Sequence, residues 1–307
     1  MPDPSRGGGR TIAITGASGV IGRHLCTHFL RAGWTVRALI RNASAPPVDP
    51  RIETFAIDLP DMIDTRAFDA ADVVIHAAYG TRGGRGDTMR RTNEQGTMRV
   101  IDAARAAGVR RLIFVSSLAA GPDAQSYYGR SKQELEDRLD AAHDLVIRPG
   151  LVLAADGGLA QRLWRSIVTL HVAPLIAGGR QIVQTLHIDD LCAAFQRAIE
   201  LDLKGVLAVA EADGIPMHDF LAALASAAHA RYLAVPVPAR ATILALQVLE
   251  AVGVRLPVAA DNLRGLLAMR HVDVSADASR LGLRIRAARD SIADLAPAFM
   301  AGARRTS

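Results

Sequence analysis

The order of apolar and polar residues along the chain predicts strands that alternate with helices. Apolar or alternating runs typical of strands cover 11–15, 33–40, 51–57, 71–78, 111–117, 144–150 and 205–212. Helical periodicity begins at Val20 and recurs over 92–108 and 127–139. The run 71–78 is almost continuously apolar, as a parallel strand buried on both faces requires. This alternation predicts an α/β fold with a doubly wound parallel sheet.

Three glycines separate the first predicted strand from the first predicted helix. Gly16, Gly19 and Gly22 recur at three-residue spacing. Gly16 allows a sharp turn, Gly19 lets the backbone approach a pyrophosphate, and Gly22 lets the helix pack closely on the strand. The free N–H groups and the positive dipole end of the helix then point toward the phosphates. With a strand before it and a helix after it, this turn predicts a Rossmann-type dinucleotide-binding domain.

The same patterns divide the chain into predicted domains. The residues 1–10 are rich in proline and glycine and are predicted to form a loose tail. The nucleotide-binding domain is predicted over 11–153 and completed by 182–212. A smaller, mostly helical substrate lobe is predicted over 154–181 and 213–302, where the sequence becomes rich in alanine and helical in pattern.

Composition limits the classes of partner. Half of the 307 residues are apolar, but no apolar run is long enough to span a bilayer. The run length therefore predicts no stable membrane insertion. Two distant cysteines, Cys26 and Cys192, indicate a reduced, cytoplasmic protein. The net charge of +5 comes mainly from arginines spread along the chain, since Lys132 and Lys204 are the only lysines. This spread argues against a nucleic-acid partner and favours a small-molecule substrate; a homodimer stays open.

The end of the second predicted strand indicates which dinucleotide binds. NAD-binding versions of this fold place an acidic residue about 20 positions after the glycines. No Asp or Glu lies between Gly22 and Asp49, and Arg41 occupies the strand end instead. A guanidinium suits a 2′-phosphate, so we expect NADP(H) in preference to NAD(H), with Arg37 or Arg23 as helpers. The alternative is that Arg41 is one more of the many arginines.

Other strand ends contribute further candidate residues. The carboxyl ends of parallel strands face the ligand crevice, which places Asp58, His76, Ala77 and Ala78 near the adenine and the pyrophosphate. A single histidine at such a position is more often packed than catalytic. No ligand set for a metal emerges, because the helical pair at positions 24 and 28 lacks a third ligand.

One pair of residues stands out in a chain so poor in lysine. Tyr128 and Lys132 are four residues apart on a predicted helix, so both side chains lie on one face. A plain salt bridge could use any of the abundant arginines. The pair therefore indicates acid–base chemistry.

The chain resembles the extended short-chain dehydrogenases/reductases, the family of NAD-dependent epimerases and dehydratases. The matching motifs appear in the family's order: 15–22 (TGASGVIG), Asp58-Leu59, 76–78 (HAA), Asn93 with Gly96-Thr97, Ser116-Ser117, 128–132 (YGRSK), 148–150 (RPG) and 187–190 (HIDD). The resemblance implies a catalytic group of Ser117, Tyr128 and Lys132. It also implies cofactor contacts from Gly16, Ser18, Gly19, Val20, Ile21, Gly22, Arg41, Asp58, Leu59, Ala77, Ala78, Asn93, Ser116, Tyr128, Lys132 and Pro149.

The resemblance is consistent with three different functions of this chain. The resemblance implies that Ser117 holds the substrate oxygen, that Lys132 lowers the pKa of Tyr128 and binds the nicotinamide ribose, and that Tyr128 transfers a proton. We expect an alcohol/ketone oxidoreductase that uses NADP(H). The alternatives are a nucleotide-sugar epimerase or dehydratase with tightly bound cofactor, and a cofactor-binding assembly protein like the relatives of a complex I subunit.

Three further segments are open to two interpretations each. The apolar helix predicted over 241–254 is either buried in the substrate lobe or lies as a lid or on a membrane surface. Asp189 and Asp190 are expected to cap a helix rather than to form a catalytic pair. The loop 81–91 carries Arg82, Arg85, Arg90 and Arg91, which either are solvated or bind an anionic substrate.

Overall fold

The secondary structure comes from a computed structural model, which describes residues 9–42, 49–80, 89–251 and 260–304. Within these residues the strands are β1 (Thr11–Thr15), β2 (Thr35–Ile40), β3 (Glu53–Asp58), β4 (Met62–Ile63), β5 (Val73–His76), β6 (Arg111–Val115), β7 (Leu145–Pro149), β8 (Leu151–Leu153), β9 (Val172–Ile176), β10 (Ile182–Val183), β11 (Thr185–His187), β12 (Gly205–Val209), β13 (Ile215–Pro216) and β14 (Leu233–Val237).

The α-helices of the same residues are α1 (Val20–Arg31), α2 (Gly96–Ala106), α3 (Tyr127–Glu136), α4 (Gly158–Arg165), α5 (Ile188–Glu200), α6 (Met217–Ala227), α7 (Ala239–Ala251), α8 (Ala260–Leu267), α9 (Ser275–Leu281) and α10 (Ala288–Arg304). A π-helical turn (Arg91–Gln95) leads directly into α2, and a second (Ser166–Leu170) follows α4. Within the described ranges, no helix is both long enough and apolar enough to cross a membrane.

The main sheet confirms the predicted doubly wound architecture. Its strand order is β12-β7-β6-β5-β1-β2-β3-β4. Strand β1 pairs in parallel with both β2 and β5, and Ile12 lies opposite Val36 on one side and Val73 on the other. The chain order of the strands reverses at β1, so the topological switch point falls between β1 and β5. In open α/β sheets this is where ligands bind.

Buried aliphatic and aromatic side chains explain why these strands form a sheet. Ile12, Ile14, Val74 and Ile75 on the two central strands are fully buried. Helices cover both faces of such a sheet, and burying a side chain of this size contributes about 1.5–3 kcal/mol. The core therefore fixes the strand ends on which the candidate site depends.

The residue contacts divide the chain into two compact units, each assembled from separate stretches. The first contains the described residues up to Val115, together with 134–147 and 198–207. The second contains 116–133, 148–197 and the described residues from Ala208 onward. In the second unit Trp164 stacks on Phe299, with 4.8 Å between ring centroids.

The second unit also contains short strand pairs that the sequence pattern does not predict. Strands β8 and β11 pair in parallel, as do β9 and β14, while β10 and β13 are antiparallel. Each of these pairs is two to five residues long. Two or three residues are too few to show a strand periodicity, and the five-residue strands β9 and β14 contain Pro174 and Pro236, which argue against a strand in the sequence.

Candidate active site

The first glycine of the turn after β1 is required by close backbone contact. Gly16 has φ of +67°, a conformation that residues with a side chain rarely adopt. A Cβ atom on Gly16 would lie 2.6 Å from the backbone nitrogen of Ala78 and 2.7 Å from the carbonyl carbon of Ala77. The two loops that follow β1 and β5 therefore touch at the switch point, beside the sharp turn that the glycine pattern predicts.

The other two glycines shape the start of α1. A Cβ atom on Gly22 would collide with the carbonyl oxygen of Gly16, and the N–H of Gly19 donates to that same oxygen at 2.9 Å. Gly19 is the N-cap of α1, and no side-chain hydrogen bond caps the helix within the described part of the chain. Ser18 and Gly19 are exposed, while Val20 and Ile21 are half-buried. The free N–H groups of this turn fit a dinucleotide pyrophosphate.

Asn93 fixes the backbone that follows β5. Its side-chain oxygen accepts a hydrogen bond from the N–H of Gly80 at 2.7 Å, and its side-chain nitrogen donates to the carbonyl oxygen of Gly80 at 3.0 Å. The amide group is buried and engaged at both ends. Asn93 therefore contributes to the predicted cofactor region through the position of Gly80.

His76 is a packed structural residue, as expected from its place at the end of β5. It is fully buried, and its ring nitrogens lie 2.7 Å from the hydroxyl of Thr15 and 2.9 Å from the hydroxyl of Thr97. Its ring also stacks on Phe114. Both ring nitrogens are engaged, so His76 ties β1, β5 and α2 together.

The basic residues near the end of β2 have different surroundings. Arg41 is exposed directly after the strand. Arg37 instead lies against Glu53 at 3.1 Å and donates to the carbonyl oxygen of Asp69 at 2.6 Å. The expectation that Arg37 helps to bind a phosphate is therefore wrong, because parallel pairing places Glu53 directly beside it. Arg23 donates to the carbonyl oxygen of Ser18 at 2.7 Å, which keeps its guanidinium at the glycine turn.

The remaining predicted residues of the first unit lie after β3. Asp58 is exposed at the strand end and pairs with Met62 of the antiparallel strand β4. The side chain of Leu59 packs against Gly96, where a Cβ atom would lie 2.8 Å from the Leu59 Cβ. Gly96 therefore lets α2 pack closely on the residue that follows β3.

In the second unit, Ser117 and Tyr128 are joined through their side chains. Burial raises the pKa of the Tyr128 phenol above its ordinary value, and a hydrogen bond with the Ser117 side chain lowers it in part. The Ser117 hydroxyl also accepts the N–H of Ala119 at 3.1 Å, which fixes its direction. A neutral phenol held this way can donate a proton to a substrate oxygen.

Lys132 lies one helical turn after Tyr128 on α3 and is buried, with 3% of its surface exposed. The spacing places the two residues on one helix face, as predicted. Gly129 lies between them, and a Cβ atom there would lie 2.8 Å from Ala124. The glycine therefore lets α3 pack directly on the segment that leads from Ser117.

Two polar side chains fix the first turn of α3. The Ser126 hydroxyl accepts the N–H of Gly129 at 3.1 Å, which is an N-cap bond. The carboxylate of Asp261, from α8, accepts the N–H of Tyr127 at 2.8 Å and the N–H of Tyr128 at 3.3 Å. Asp261 is 134 residues from Tyr127 along the chain and was not a predicted site residue. No local sequence signal distinguishes it from other aspartates.

Comparisons with known proteins identify the family of the chain. A family model described as NAD(P)H-binding matches residues 16–148. A 3-diazoavenalumate denitrifying reductase of Streptomyces is 33% identical over 245 residues, which cover 68% of this chain and 79% of that protein. The chain belongs to the extended short-chain dehydrogenase/reductase family. It is an NAD(P)-dependent enzyme.

Two other similarities add detail. A ceramide reductase of Caulobacter vibrioides is 33% identical over 188 residues, or 59% of this chain and 58% of that protein's length. The structure of MoeE5 in complex with UDP-glucose and NAD covers 97% of this chain and 100% of its own, with a TM-score of 0.75 and 20% identity. At that level of identity the likeness concerns the fold alone.

The remaining predicted residues of this short-chain dehydrogenase/reductase lie at the ends of β6 and β7. Ser116 is buried directly after β6. The carbonyl oxygen of Pro149 accepts the N–H of Leu118 at 3.0 Å. This bond links the residue that follows Ser117 to the Arg-Pro motif of the family.

A cavity of about 510 Å³ lies within the second unit, beside the segment between Ser117 and Tyr128. Its walls come from 118–126, from two residues near β10, and from α8 with the residues after it. Aliphatic side chains include Leu118, Ile182, Leu267, Met269 and Val272. Asp123 and Arg270 are the charged residues of its lining. The volume lies in the range of small-molecule sites.

One cluster in the second unit has the composition of a metal site. His187, Asp189 and Asp294 bring possible ligand atoms within 4.8 Å of one another. Arg286 lies 3.1 Å from the carboxylates of both Asp294 and Asp190, so its guanidinium offsets part of their negative charge. Asp190 lies in the first turn of α5, and its carboxylate accepts the backbone N–H of Arg286 at 3.0 Å.

The arginine-rich loop can be followed only in part, because 81–88, including Arg82 and Arg85, lie outside the described residues. Arg90 lies 3.4 Å from Glu94, and Arg91 lies 3.3 Å from Asp61. These two arginines are partnered by carboxylates of the protein. The prediction of an anionic substrate at this loop stays a prediction.

Proposed function

We propose that the protein is an NADP(H)-dependent reductase that converts a ketone on a mainly apolar molecule into an alcohol. The observation that supports this most directly is the hydrogen bond between Ser117 and Tyr128, with Lys132 one turn further along α3. A serine, a tyrosine and a buried lysine on such a framework suit proton transfer to a carbonyl oxygen. Reductase is also the activity in the names of two relatives.

The proposed roles follow from the chemistry of each side chain. The Ser117 hydroxyl donates a hydrogen bond to the substrate oxygen and holds it beside Tyr128. Tyr128 gives its phenolic proton to that oxygen as the alcohol forms. Lys132 stabilises the phenolate that is left, since a nearby positive charge favours the ionised phenol. The nicotinamide, when bound, supplies the hydride.

The cofactor is proposed to bind through the turn after β1 and through Arg41. The free N–H groups at the start of α1 would hold the pyrophosphate, and Gly16, Gly19 and Gly22 leave room for it. Arg41 would bind the 2′-phosphate of NADP(H). The absence of an acidic residue between Gly22 and Asp49 supports this preference.

The cavity of the second unit is the proposed substrate site. The aliphatic part of its lining suits an apolar group, while Asp123, Gln184 and Arg270 can bind polar groups of the same ligand. The name of the ceramide reductase indicates that one relative acts on a lipid.

The Tyr128→Phe substitution tests the proposed reaction. We expect turnover of ketone substrates to fall by about 10² or more, with NADP(H) affinity nearly unchanged, because the variant lacks only the transferred proton. Tyr232→Phe removes a hydroxyl elsewhere in the same unit and is the matched control. Full activity in Tyr128→Phe would exclude the tyrosine as the proton donor.

Cofactor stoichiometry separates this proposal from the epimerase or dehydratase alternative. A reductase oxidises one NADPH for each alcohol formed, whereas an epimerase or dehydratase regenerates its bound cofactor in every cycle. Mass spectrometry of the purified protein would identify any retained dinucleotide. Product formation without net NADPH oxidation would favour the alternative.

A further inference from the structure

We propose that the exposed apolar face of α7 binds the surface of an anionic lipid bilayer. The proposal goes beyond the proposed function, although the two are compatible because an apolar substrate partitions into membranes. It is carried by the pattern of exposure on this helix, by the charge of the surrounding segment, and by the length of the helix.

The exposure pattern of α7 is opposite to that of a surface helix of a globular protein. Ala241, Leu244, Ala245, Val248 and Leu249 follow the i, i+3, i+4, i+7, i+8 spacing of a single face, and all five are exposed. Leu244 and Val248 expose 62% and 55% of their surface. An apolar stripe with this spacing normally faces a core. Here it forms an apolar face, defined by these five residues, that lies against solvent.

The two-stranded sheet before α7 also exposes apolar side chains. Leu233 and Val235 alternate along β14 and are exposed, and Leu170, just before β9, is exposed to the same degree as Leu233. The backbone N–H of Leu233 donates to His171, the residue after Leu170. The exposed side chains of Leu170 and Leu233 therefore belong to residues that are close together in the backbone.

The charge of this region favours an anionic partner. The segment 220–250 contains a single acidic residue, Glu250 near the end of α7, and two arginines, Arg231 and Arg240. Both arginines are exposed, one just before β14 and one at the start of α7. Basic residues near an anionic leaflet are attracted to its negative surface charge. A lipid headgroup layer that contains phosphate fits this combination of apolar and basic residues.

The length of α7 decides how it would contact a membrane. Its thirteen residues span about 20 Å, which is shorter than the hydrocarbon core of about 30 Å. A helix of this size with an apolar face and flanking arginines lies in the plane of the interface. The contact would therefore be peripheral.

Vesicle binding by the full chain tests the proposal. We expect the protein to sediment with vesicles of phosphatidylcholine and phosphatidylglycerol, and much less with phosphatidylcholine alone. Replacing Leu244 and Val248 together by glutamine should weaken sedimentation with the anionic vesicles at least tenfold, because both side chains lose their apolar contact. Replacing Arg231 and Arg240 together by glutamine should remove the preference for the anionic lipid.

The control variant replaces two exposed apolar side chains of the first unit. Met62 and Leu201 are 41% and 42% exposed, and replacing both by glutamine should leave vesicle binding unchanged. In the unmodified protein, vesicles should also slow amide hydrogen exchange in the peptide 239–251. This measurement needs no variant and so does not depend on how a variant folds.

Three results would overturn the proposal. The first is that the unmodified protein does not bind anionic vesicles. The second is that the Leu244 and Val248 variant binds these vesicles as well as the unmodified protein does. The third is that this variant changes a dimer into a monomer while its vesicle binding stays the same. The last result would assign the apolar face to a second copy of the chain. Because vesicle binding is measured without turnover, loss of the proposed reductase activity would not affect the outcome.

Discussion

The carboxylate of Asp261 accepts the backbone N–H of Tyr127 at 2.8 Å, and thereby caps the helix that presents Tyr128 and Lys132. The same carboxylate also accepts the N–H of Tyr128 at 3.3 Å. Helix α8, which carries Asp261, contributes Gly265 and Leu267 to the wall of the cavity. One short helix therefore both lines the proposed substrate site and positions the proposed proton donor.

We predict that Asp261→Ala lowers both turnover and the free energy of unfolding. Loss of an N-cap acceptor costs about 0.5–2 kcal/mol of stability. The first turn of α3 should also lose its fixed direction, which we expect to reduce kcat about tenfold or more with little change in cofactor affinity. Asp261→Asn keeps one acceptor oxygen and should recover most of the activity. Equal kcat values in the alanine variant and the unmodified enzyme would contradict a positioning role.

A second prediction concerns the close approach at Gly16. Gly16→Ala should abolish dinucleotide binding or prevent folding, because the new Cβ atom would lie 2.6 Å from the Ala78 nitrogen. Gly33→Ala is the matched control, since Gly33 also has positive φ but nothing lies within 4 Å of its Cβ position. The control should lose only about 1–2 kcal/mol of stability from backbone strain. Cofactor titration and urea unfolding of both variants would separate the two effects.

A third prediction concerns the choice between NADP(H) and NAD(H). Arg41→Ala should weaken NADP(H) binding by about 1.5–3 kcal/mol, the range for a hydrogen bond to a charged group, and leave NAD(H) binding almost unchanged. Arg37→Ala should leave the affinity for both dinucleotides unchanged, because its guanidinium is engaged by Glu53 and Asp69. Calorimetric titrations that give the unmodified protein equal affinity for both cofactors would refute the proposed role of Arg41.

The fourth prediction concerns the pH dependence of reduction. Tyr128 must be protonated to act as an acid, so the rate should fall as the pH rises through its pKa. The hydrogen bond from Ser117 lowers that pKa, so Ser117→Ala should raise it. The alkaline limb of the kcat/KM profile should then move to higher pH, and the maximal rate should fall. A limb that stays in place would show that another group controls this titration.

The local pattern of the sequence was sufficient to predict the central sheet. The strands at 11–15, 111–115 and 145–149 fall within the predicted runs, because continuous apolar residues have few alternatives to a buried parallel strand. The glycine spacing likewise predicted the turn at Gly16, where φ is +67°. The spacing of Tyr128 and Lys132 predicted a shared helix face, because only the local helical repeat is needed for that inference.

Features that depend on distant partners could not be predicted. Arg37 is equivalent to any other arginine in the sequence, and only the register between β2 and β3 places Glu53 beside it. The pair β10–β13 has too few residues to give a periodic signal, and prolines interrupt the pattern of β9 and β14. The predicted helix 241–254 is observed as α7, but its apolar side faces solvent, which the sequence alone left open between two interpretations.

The sequence by itself thus determined the main elements and the central sheet and predicted the candidate reactive groups, because hydrophobic period, glycine spacing and side-chain chemistry are local properties. The tertiary structure decided which groups meet. It places the Asp261 carboxylate within hydrogen-bond distance of Tyr127, which is 134 residues away along the chain. It also pairs both polar atoms of the Asn93 side chain with the backbone of Gly80. Hydrogen bonds between distant segments depend on how the core packs, and no short stretch of sequence contains that information.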